Sequence, residues 1–179
     1  MLPSFKTREE LLELLPKNII CAELGVFQGA FSEIIFNTLN PDLFFMVDIF
    51  EGIMGSGDKN GNNMKYIDLS ESYNMLTEKY RNNNVKVVKS TTVNFLNSLE
   101  DSYLDFVYID AQHTYEDVSL ELQLADKKVK KQGFIAGHDY HESAYPGVVR
   151  AVTEFCHNNK YELSLTTDDI YKSFLITRE

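Results

Sequence analysis

Two acidic residues and three of the four histidines fall in two short segments, 110–113 and 138–141. The segments read Asp-Ala-Gln-His and His-Asp-Tyr-His, and their acids are Asp110 and Asp139. Paired carboxylates suit hard divalent cations such as Mg²⁺, whereas imidazole suits a transition ion or a general base. The pattern predicts a functional site at these two segments, with the acids as candidate ligands of a divalent metal and the histidines as candidate ligands or bases.

The histidines of these two segments are the candidate bases. His113 is favoured, with His138 and His141 as runners-up, and Asp110 is counted with them as a catalytic residue. A single histidine is more often a helix cap or a surface residue, so the prediction depends on the concentration of several. His157 is set apart because it lies at a predicted helix C-terminus, where the helix dipole explains it.

A glycine-containing segment, Glu-Leu-Gly-Val-Phe-Gln-Gly at 23–29, follows an apolar run. Gly25 and Gly29 would allow a tight turn and a close approach of the backbone to a ligand at the next helix N-terminus. The segment is not the GxGxxG pattern of dinucleotide sites, because Phe27 occupies the place of the second glycine. Two glycines after a strand can also be simple turn residues.

Asp48 ends the next apolar run, 23 positions beyond Gly25. An acid at this place can accept hydrogen bonds from both hydroxyls of a ribose. After the third apolar run, Ser90 and Thr91 could border an adenine, although the Thr91 side chain is better explained as a helix cap. The three segments together predict a nucleoside site.

The hydrophobic pattern places all these residues just after buried strands. The predicted strands are continuous apolar runs and do not alternate between apolar and polar residues. This pattern is typical of a parallel sheet that is covered on both faces. The predicted strands are 19–25, 43–49, 85–90, 105–110 and 133–139, and the predicted helices are 8–15, 29–38, 69–80, 91–100, 115–131 and one from Pro146. The final stretch, YELSLTTDDIYKSFLIT, predicts a hairpin of two further strands.

This order predicts an α/β fold of the Rossmann-like, doubly wound type. We expect a mostly parallel seven-stranded sheet with an antiparallel last strand and helices on both faces. Ligands of such sheets bind beyond the carboxyl ends of the strands, where the candidate residues lie.

Local signals set several boundaries. Thr7 and Glu10 form a capping box that opens the N-terminal helix of residues 1–17, and Gly133 is read as the C-cap signal of the long helix. The Gly- and Asn-rich stretch 51–65 is expected to be a loop that could fold over substrate as a lid, and residues 1–179 are expected to be a single domain.

Bulk properties narrow the partners. The net charge of -10 disfavours nucleic acid and anionic membrane, and no apolar run is long enough to cross a bilayer. Cys21 and Cys156 lie in apolar settings without paired spacing, which predicts reduced core thiols and a cytoplasmic location. The expected partner is a small molecule, and a homo-oligomer is left open.

Five segments carry a resemblance to a known family: AELGVFQGAFS, VDIFEG, DFVYIDAQHTYEDV, GFIAGHDY and PGVVRAV. They resemble class I S-adenosylmethionine-dependent methyltransferases, most closely the methyltransferase family 24 branch. The resemblance implies that S-adenosylmethionine is the cofactor. Its implied binding residues are Glu23, Gly25, Phe27, Gln28, Gly29, Asp48, Ser90, Thr91 and Asp110.

The branch is also similar to metal-assisted O-methyltransferases of sugar or phenolic hydroxyls. By that likeness Asp110 and Asp139 would bind Mg²⁺ or another divalent cation, although His138 and Tyr140 flank Asp139 where related enzymes often have a further Asp or Asn. The expected activity is O-methylation of a small molecule such as a sugar. Two alternatives stay open: an NAD-dependent oxidoreductase, and a non-catalytic cofactor-binding module.

Overall fold

The structure of the chain is a computed structural model that describes residues 4–54 and 65–178, leaving the side chains of residues 52–67 outside the description. The helices are α1 (Arg8–Glu13), α2 (Ala30–Leu39), α3 (Ser70–Lys79), α4 (Thr92–Ser98), α5 (Tyr115–Lys128) and α6 (Pro146–Asn159). The strands are β1 (Ile20–Leu24), β2 (Leu43–Asp48), β3 (Glu51–Met54), β4 (Lys65–Asp68), β5 (Val85–Lys89), β6 (Leu104–Ile109), β7 (Val129–Tyr140), β8 (Glu162–Leu165) and β9 (Lys172–Thr177).

The main sheet has seven strands in the order β5-β2-β1-β6-β7-β9-β8. The first five of these pair in parallel, and β9 pairs antiparallel with both β7 and β8. The register aligns Leu24 with Val47 on one side and with Ile109 on the other. The segments after β1, β2 and β6 therefore leave the sheet together at one edge, which we call the crest. The predicted Rossmann-like sheet with its antiparallel last strand is confirmed.

Helices cover both faces of the sheet. One buried cluster joins α1, α2 and α3 through Leu11, Ile35 and Leu76, and the other joins α4, α5 and α6 through residues such as Leu122 and Val152. Both faces are apolar because the strands run without alternation, as the sequence predicted. Across the described parts of the chain, we find no helix with the length and apolarity needed to cross a membrane.

Several local predictions hold in the structure. The Thr7 side chain accepts a hydrogen bond from the Glu10 amide and caps α1, and Thr91 caps α4 in the same way. Pro146 is the first residue of α6, where its missing N–H costs nothing. These signals were readable because each one involves only residues of a single helix turn.

The predicted end of the long helix was wrong. α5 ends at Lys128 rather than at 131, and Gly133 lies inside β7 instead of capping the helix. A Cβ at Gly133 would lie 2.5 Å from the carbonyl oxygen of Asp105, so a glycine is needed for the close approach of β7 to β6. β7 consequently begins four residues before the predicted strand, at Val129.

The stretch 51–65 is not simply a loop. Its first residues form β3, which pairs antiparallel with β4 in a separate two-stranded sheet. The remainder of the predicted lid, residues 55–64, lies outside the described residues.

Glu121 is a buried carboxyl where α5 packs on α4. The residue is 1% exposed, and its Oε1 accepts a hydrogen bond from Thr92 Oγ1 at 2.5 Å. Its Oε2 has no hydrogen-bond partner among the described residues. Burial raises the pKa of Glu121 to about 7, and the bond from Thr92 opposes that rise. Between pH 4.5 and about 7, Glu121 is therefore mostly protonated in the folded protein and mostly ionised in the unfolded chain.

We expect Glu121→Gln to remove a pH dependence of stability. Because the pKa of Glu121 rises from 4.5 to about 7 on folding, wild-type stability falls as the pH rises through that window. Glutamine cannot ionise and keeps an oxygen for Thr92, so the variant should exceed the wild type by about 1–3 kcal/mol at pH 8 and match it near pH 4.5. Urea unfolding at the two pH values measures this. A difference that is independent of pH would contradict the prediction.

Candidate active site

The turn after β1 is held to the neighbouring strand ends by backbone hydrogen bonds. The Gly25 amide donates to the carbonyl of Val47 at 2.8 Å, and the Asp110 amide donates to the carbonyl of Leu24 at 2.8 Å. Gly25 has φ +96, and a Cβ there would lie 2.0 Å from the carbonyl oxygen of Asp110. The first turn and the β6 end are therefore in contact only because residue 25 has no side chain.

Asp48 joins the turn after β1 to the residues that follow β2. Its Oδ2 accepts hydrogen bonds from the amides of Val26 and Phe27, each at 2.8 Å, and its Oδ1 accepts one from Phe50 at 2.7 Å. The side chain remains partly exposed. The carboxylate therefore fixes the glycine turn before any ligand arrives, and it keeps one acceptor position, on Oδ1, for a ligand hydroxyl.

Three residues with side chains adopt left-handed backbone conformations at the crest. Phe27, Phe50 and Asp139 have φ of 53, 52 and 60. Such a conformation costs a residue with a Cβ roughly 1–2 kcal/mol. Strain of this kind concentrates at functional sites, because the surrounding structure must impose it. Phe27 thus adopts a glycine-like conformation at the position where the sequence pattern lacked a glycine, and its side chain is 41% exposed.

Glu23 lies beneath the turn rather than on its surface. It is 1% exposed, and one carboxylate oxygen accepts a hydrogen bond from the Ser32 hydroxyl of α2. Burial raises the pKa of Glu23 to about 8, although the Ser32 hydroxyl opposes the rise. Glu23 is therefore mostly protonated at neutral pH and joins β1 to the helix that follows the turn.

The remaining residues of the predicted nucleoside site lie along the same edge. Gly29 is the N-cap of α2 with φ 81, and Gln28 before it is exposed. Ser90 follows β5, and its amide donates to the carbonyl of Asp48 at 2.9 Å. Its hydroxyl donates to the carbonyl of Thr91. The structure therefore places the ends of β1, β2 and β5 next to one another, as a nucleoside site requires.

The predicted metal and base residues meet at the ends of β6 and β7. His113 Nε2 lies 2.7 Å from Asp139 Oδ2, and His138 Nδ1 lies 3.2 Å from Asp139 Oδ1 and 4.0 Å from Asp110 Oδ1. One donor atom each from Asp110, His113 and Asp139 can be chosen so that all three lie within 4.8 Å of one another. Adjacent parallel strands and the turn before α5 thus assemble a three-residue cluster.

The two acids of this cluster ionise differently. Burial raises the pKa of Asp110 to about 6, against the attraction of His138. Burial also opposes ionisation of Asp139, but its contacts with His113 and His138 outweigh this effect and hold the pKa of Asp139 below its ordinary range. The close Asp139 carboxylate in turn raises the pKa of His113. Asp139 is therefore a carboxylate at every physiological pH.

The donor set fits a divalent cation. His113 Nε2 is buried and, despite its short distance to Asp139, has no hydrogen bond of acceptable direction among the described residues. Two carboxylates and a buried imidazole nitrogen within 4.8 Å of one another form a mixed oxygen and nitrogen site. Such a site suits Mg²⁺, Mn²⁺ or a transition ion. The sequence had suggested two ligands, and the structure adds His113 as a third candidate.

Aromatic side chains adjoin the cluster on the α6 side. The Tyr145 ring stacks on His113 with 4.4 Å between ring centres, and the exposed Tyr171 ring lies 5.9 Å from Tyr145. His141 packs against Tyr171, and its Nδ1 accepts a hydrogen bond from the Ala144 amide. This bond occupies one ring nitrogen of His141 in its own turn, so His141 is a weaker candidate base than His113.

Sequence reasoning missed the tyrosines and one arginine. Tyr145 and Tyr171 come from different loops, and only the antiparallel placement of β9 beside β7 brings them together. Arg8 of α1 stacks on Phe31, with its guanidinium carbon 4.2 Å from the ring centre. No motif marks these residues, because their positions depend on how distant elements pack.

Comparison with solved structures shows the same fold. A precorrin-6y C5,15-methyltransferase from Geobacter metallireducens GS-15 is 12% identical, with a TM-score of 0.65 over 96% of this chain and 87% of the other. A caffeoyl-CoA O-methyltransferase-like protein from Staphylococcus aureus is 13% identical, with a TM-score of 0.65 over 95% of this chain and 80% of the other. A ribosomal protein L11 methylase from Lactobacillus delbrueckii subsp. bulgaricus is 12% identical, with a TM-score of 0.64 over 96% of this chain and 76% of the other.

The sequence itself identifies the family. No curated protein matches the chain. A family model described as a methyltransferase domain matches residues 22–140, which run from β1 to the end of β7 and include the glycine turn, Asp48 and the Asp110–Asp139 cluster. The chain therefore belongs to this methyltransferase domain family, and it is an S-adenosylmethionine-dependent methyltransferase.

Proposed function

We propose that this methyltransferase transfers the methyl group to a hydroxyl of a small molecule such as a sugar, assisted by a divalent cation. The observation that carries the proposal is the cluster of Asp110, His113 and Asp139, whose donor atoms converge within 4.8 Å at the crest. The cluster adjoins the glycine turn, since Gly25 would touch Asp110 if it carried a Cβ. A hydroxyl held there would lie beside a cofactor bound at the turn.

The same geometry supports one orientation of the cofactor. Asp48 at the end of β2 would accept a hydrogen bond from the ribose, and Ser90 with Thr91 at the end of β5 would border the adenine. The methionine part would then run over β1, past the turn of Gly25, Phe27, Gln28 and Gly29 and above the buried Glu23, towards β6. The sulfonium carbon would face the Asp110 side of the crest, where the donor cluster lies.

Methyl transfer is an in-line displacement at carbon, so the protein has to align the attacking oxygen and dispose of its proton. A divalent cation, when bound, would bind the hydroxyl oxygen and lower its pKa. Asp110, His113 and Asp139 would hold the cation. His138, whose Nδ1 lies between the two acids, would accept the hydroxyl proton if His113 is occupied as a ligand.

If His113 is not a ligand, it remains the preferred base. The Asp139 carboxylate beside it raises the pKa of His113, which favours proton uptake by this imidazole. Its ring is also oriented by stacking on Tyr145. Both assignments place proton removal beside Asp139, and they differ only in whether the His138 or the His113 imidazole accepts the proton.

The acceptor we propose is small and not a nucleic acid. The net charge of -10 repels a phosphate backbone, and the cluster itself contributes two acids. Tyr145 and Tyr171 offer partly exposed ring faces beside the cluster, and such faces pack well on the apolar face of a sugar ring.

Calorimetric titration with Mg²⁺ and Mn²⁺ tests the cation. We expect saturable binding to the wild type and none to Asp139→Ala, because the variant loses the acid that both histidines contact. Asp101→Ala is the matched control, since Asp101 precedes β6 at the opposite edge of the sheet and pairs with Lys128. It should bind the cation like the wild type. Equal heats for the wild type and Asp139→Ala would discard the metal.

A further inference from the structure

Arg8 lies near the crest although it belongs to α1. Its guanidinium is held over the ring of Phe31, near the start of α2. The Phe31 ring packs on Tyr108 at 4.6 Å, and Tyr108 stands two residues before Asp110. The Arg8 side chain is 30% exposed. Stacking thus fixes a cation at the solvent boundary beside the ends of β1 and β6.

The charge of Arg8 reaches Glu23 near the end of β1. Burial raises the pKa of Glu23, the Ser32 hydroxyl opposes the rise, and the positive charge of Arg8 opposes it as well. This agrees with the position of the guanidinium over Phe31, at the start of the helix that Glu23 contacts through Ser32.

Most N–H donors of the Arg8 guanidinium have no carboxylate partner among the described residues. Among the residues that the structure describes, its one carboxylate partner is Glu9, and that contact is a 3.7 Å approach of Nε with both side chains substantially exposed. Exposed pairs of this kind contribute little. The two Nη groups form no salt bridge to a carboxylate within residues 4–54 and 65–178, and they carry the planar pair of donors that binds carboxylates bidentately.

The cofactor brings an anion to this place. Strands in a sheet lie about 4.8 Å apart, so β6 is roughly 10 Å from β2, where Asp48 would hold the ribose. In the orientation proposed above, the methionine chain would run from the ribose over β1 and end within that span. The acids Asp48, Asp110 and Asp139 give the crest negative charge, so binding of a carboxylate there requires a nearby cation.

We propose that Arg8 binds the α-carboxylate of S-adenosylmethionine and so fixes the methionine end of the cofactor. The proposal depends on the cofactor orientation given above and not on the identity of the acceptor. Arg8 is in this role a binding residue, and α1 is the element that delivers it. Docking of α1 against α2 would then be part of building the cofactor site.

Two ligands that differ in one group isolate the contact. Titration calorimetry compares S-adenosylmethionine with decarboxylated S-adenosylmethionine, which keeps the nucleoside, the sulfonium and the amine. We expect the wild type to prefer the carboxylated ligand by about 10–100-fold, as for a charge-assisted pair at a partly buried site. In Arg8→Met, which keeps an apolar chain over Phe31, the preference should fall to within about twofold.

Arg81→Met is the matched control, because Arg81 is an exposed arginine that pairs with Glu78 at the end of α3. It should keep the wild-type preference. Because each preference is a ratio within one variant, a general loss of folding lowers both affinities and does not imitate the expected result. An unchanged preference in Arg8→Met, or no preference in the wild type, overturns the assignment of Arg8. Failure of the wild type to bind either ligand would instead overturn the cofactor site itself.

Discussion

We expect Gly25→Ala to lower the free energy of unfolding by about 3 kcal/mol or more and to abolish measurable binding of S-adenosylhomocysteine. A Cβ at position 25 would lie 2.0 Å from the Asp110 carbonyl oxygen, 2.5 Å from its carbonyl carbon and 2.8 Å from the Ala111 Cα. All three are backbone atoms, so no side chain can rotate away to relieve the overlap. The φ of +96 adds strain for any residue with a side chain.

The binding loss follows from where the strain is relieved. The turn can make room only by moving away from β6, which breaks the Gly25–Val47 bond or the Asp110–Leu24 bond. Either movement displaces the amides of Val26 and Phe27 from Asp48. Thermal unfolding and calorimetric titration at a temperature where the variant is folded measure the two effects separately.

Two further variants separate sterics from backbone conformation. Gly29→Ala also meets a positive φ of +81, but its Cβ would contact the flexible Leu76 side chain, so we expect a loss nearer 1 kcal/mol. Gly25→Asn relieves the conformational strain only in part and should be no better than alanine, because the overlap with Asp110 remains. Equal destabilisation by the two alanine variants would show that conformation rather than overlap governs the turn.

Local patterns predicted most of the fold. The apolar runs at 19–25 and 105–110 are continuous because helices cover both faces, and the structure has β1 and β6 there. Gly133 was misread for a physical reason. Its lack of a side chain serves a contact with Asp105 on a neighbouring strand, 28 residues away, and not the adjacent helix end. A single glycine does not reveal which of the two uses applies.

Short elements were beyond the same reasoning. β3 and β4 are four residues each, and their stretch is rich in Gly and Asn, a composition typical of loops. Their pairing becomes visible only when the two strands are brought together in space. The sequence therefore predicted the sheet that carries the site and missed the small sheet beside it.

The candidate site shows the same division. Asp110 and Asp139 were placed together from topology, because the alternation of strands and helices puts consecutive parallel strands side by side. The contact of His113 with Asp139 and the stacking of Tyr145 on His113 depend on side-chain directions that no spacing encodes. Gly147 also supports the site in a way that the sequence did not indicate. A Cβ there would lie 2.7 Å from the His113 carbonyl oxygen and would push α6 away from the turn that carries His113.

Asp48→Ala is expected to weaken binding of S-adenosylhomocysteine by about 100-fold or more. If the carboxylate accepts a ribose hydroxyl at its remaining Oδ1 position, a hydrogen bond to a charged group is lost, which contributes about 1.5–3 kcal/mol. The variant also leaves the Val26, Phe27 and Phe50 amides without their acceptor, which loosens the turn before the ligand arrives. Both effects lower affinity, so the loss should exceed that of a typical surface contact.

Asp48→Asn separates the two contributions. Asparagine keeps one oxygen for the backbone amides and loses the charge and the second acceptor, so its affinity should fall between those of Asp48→Ala and the wild type. Asp42→Ala is the control, because Asp42 is exposed at the opposite end of β2 and should leave affinity unchanged. Titration calorimetry with S-adenosylhomocysteine gives the three affinities. If folded Asp48→Ala bound S-adenosylhomocysteine within threefold of the wild type, Asp48 would not be the ribose ligand. The cofactor orientation, on which the placement of the methyl donor depends, would then be wrong as well.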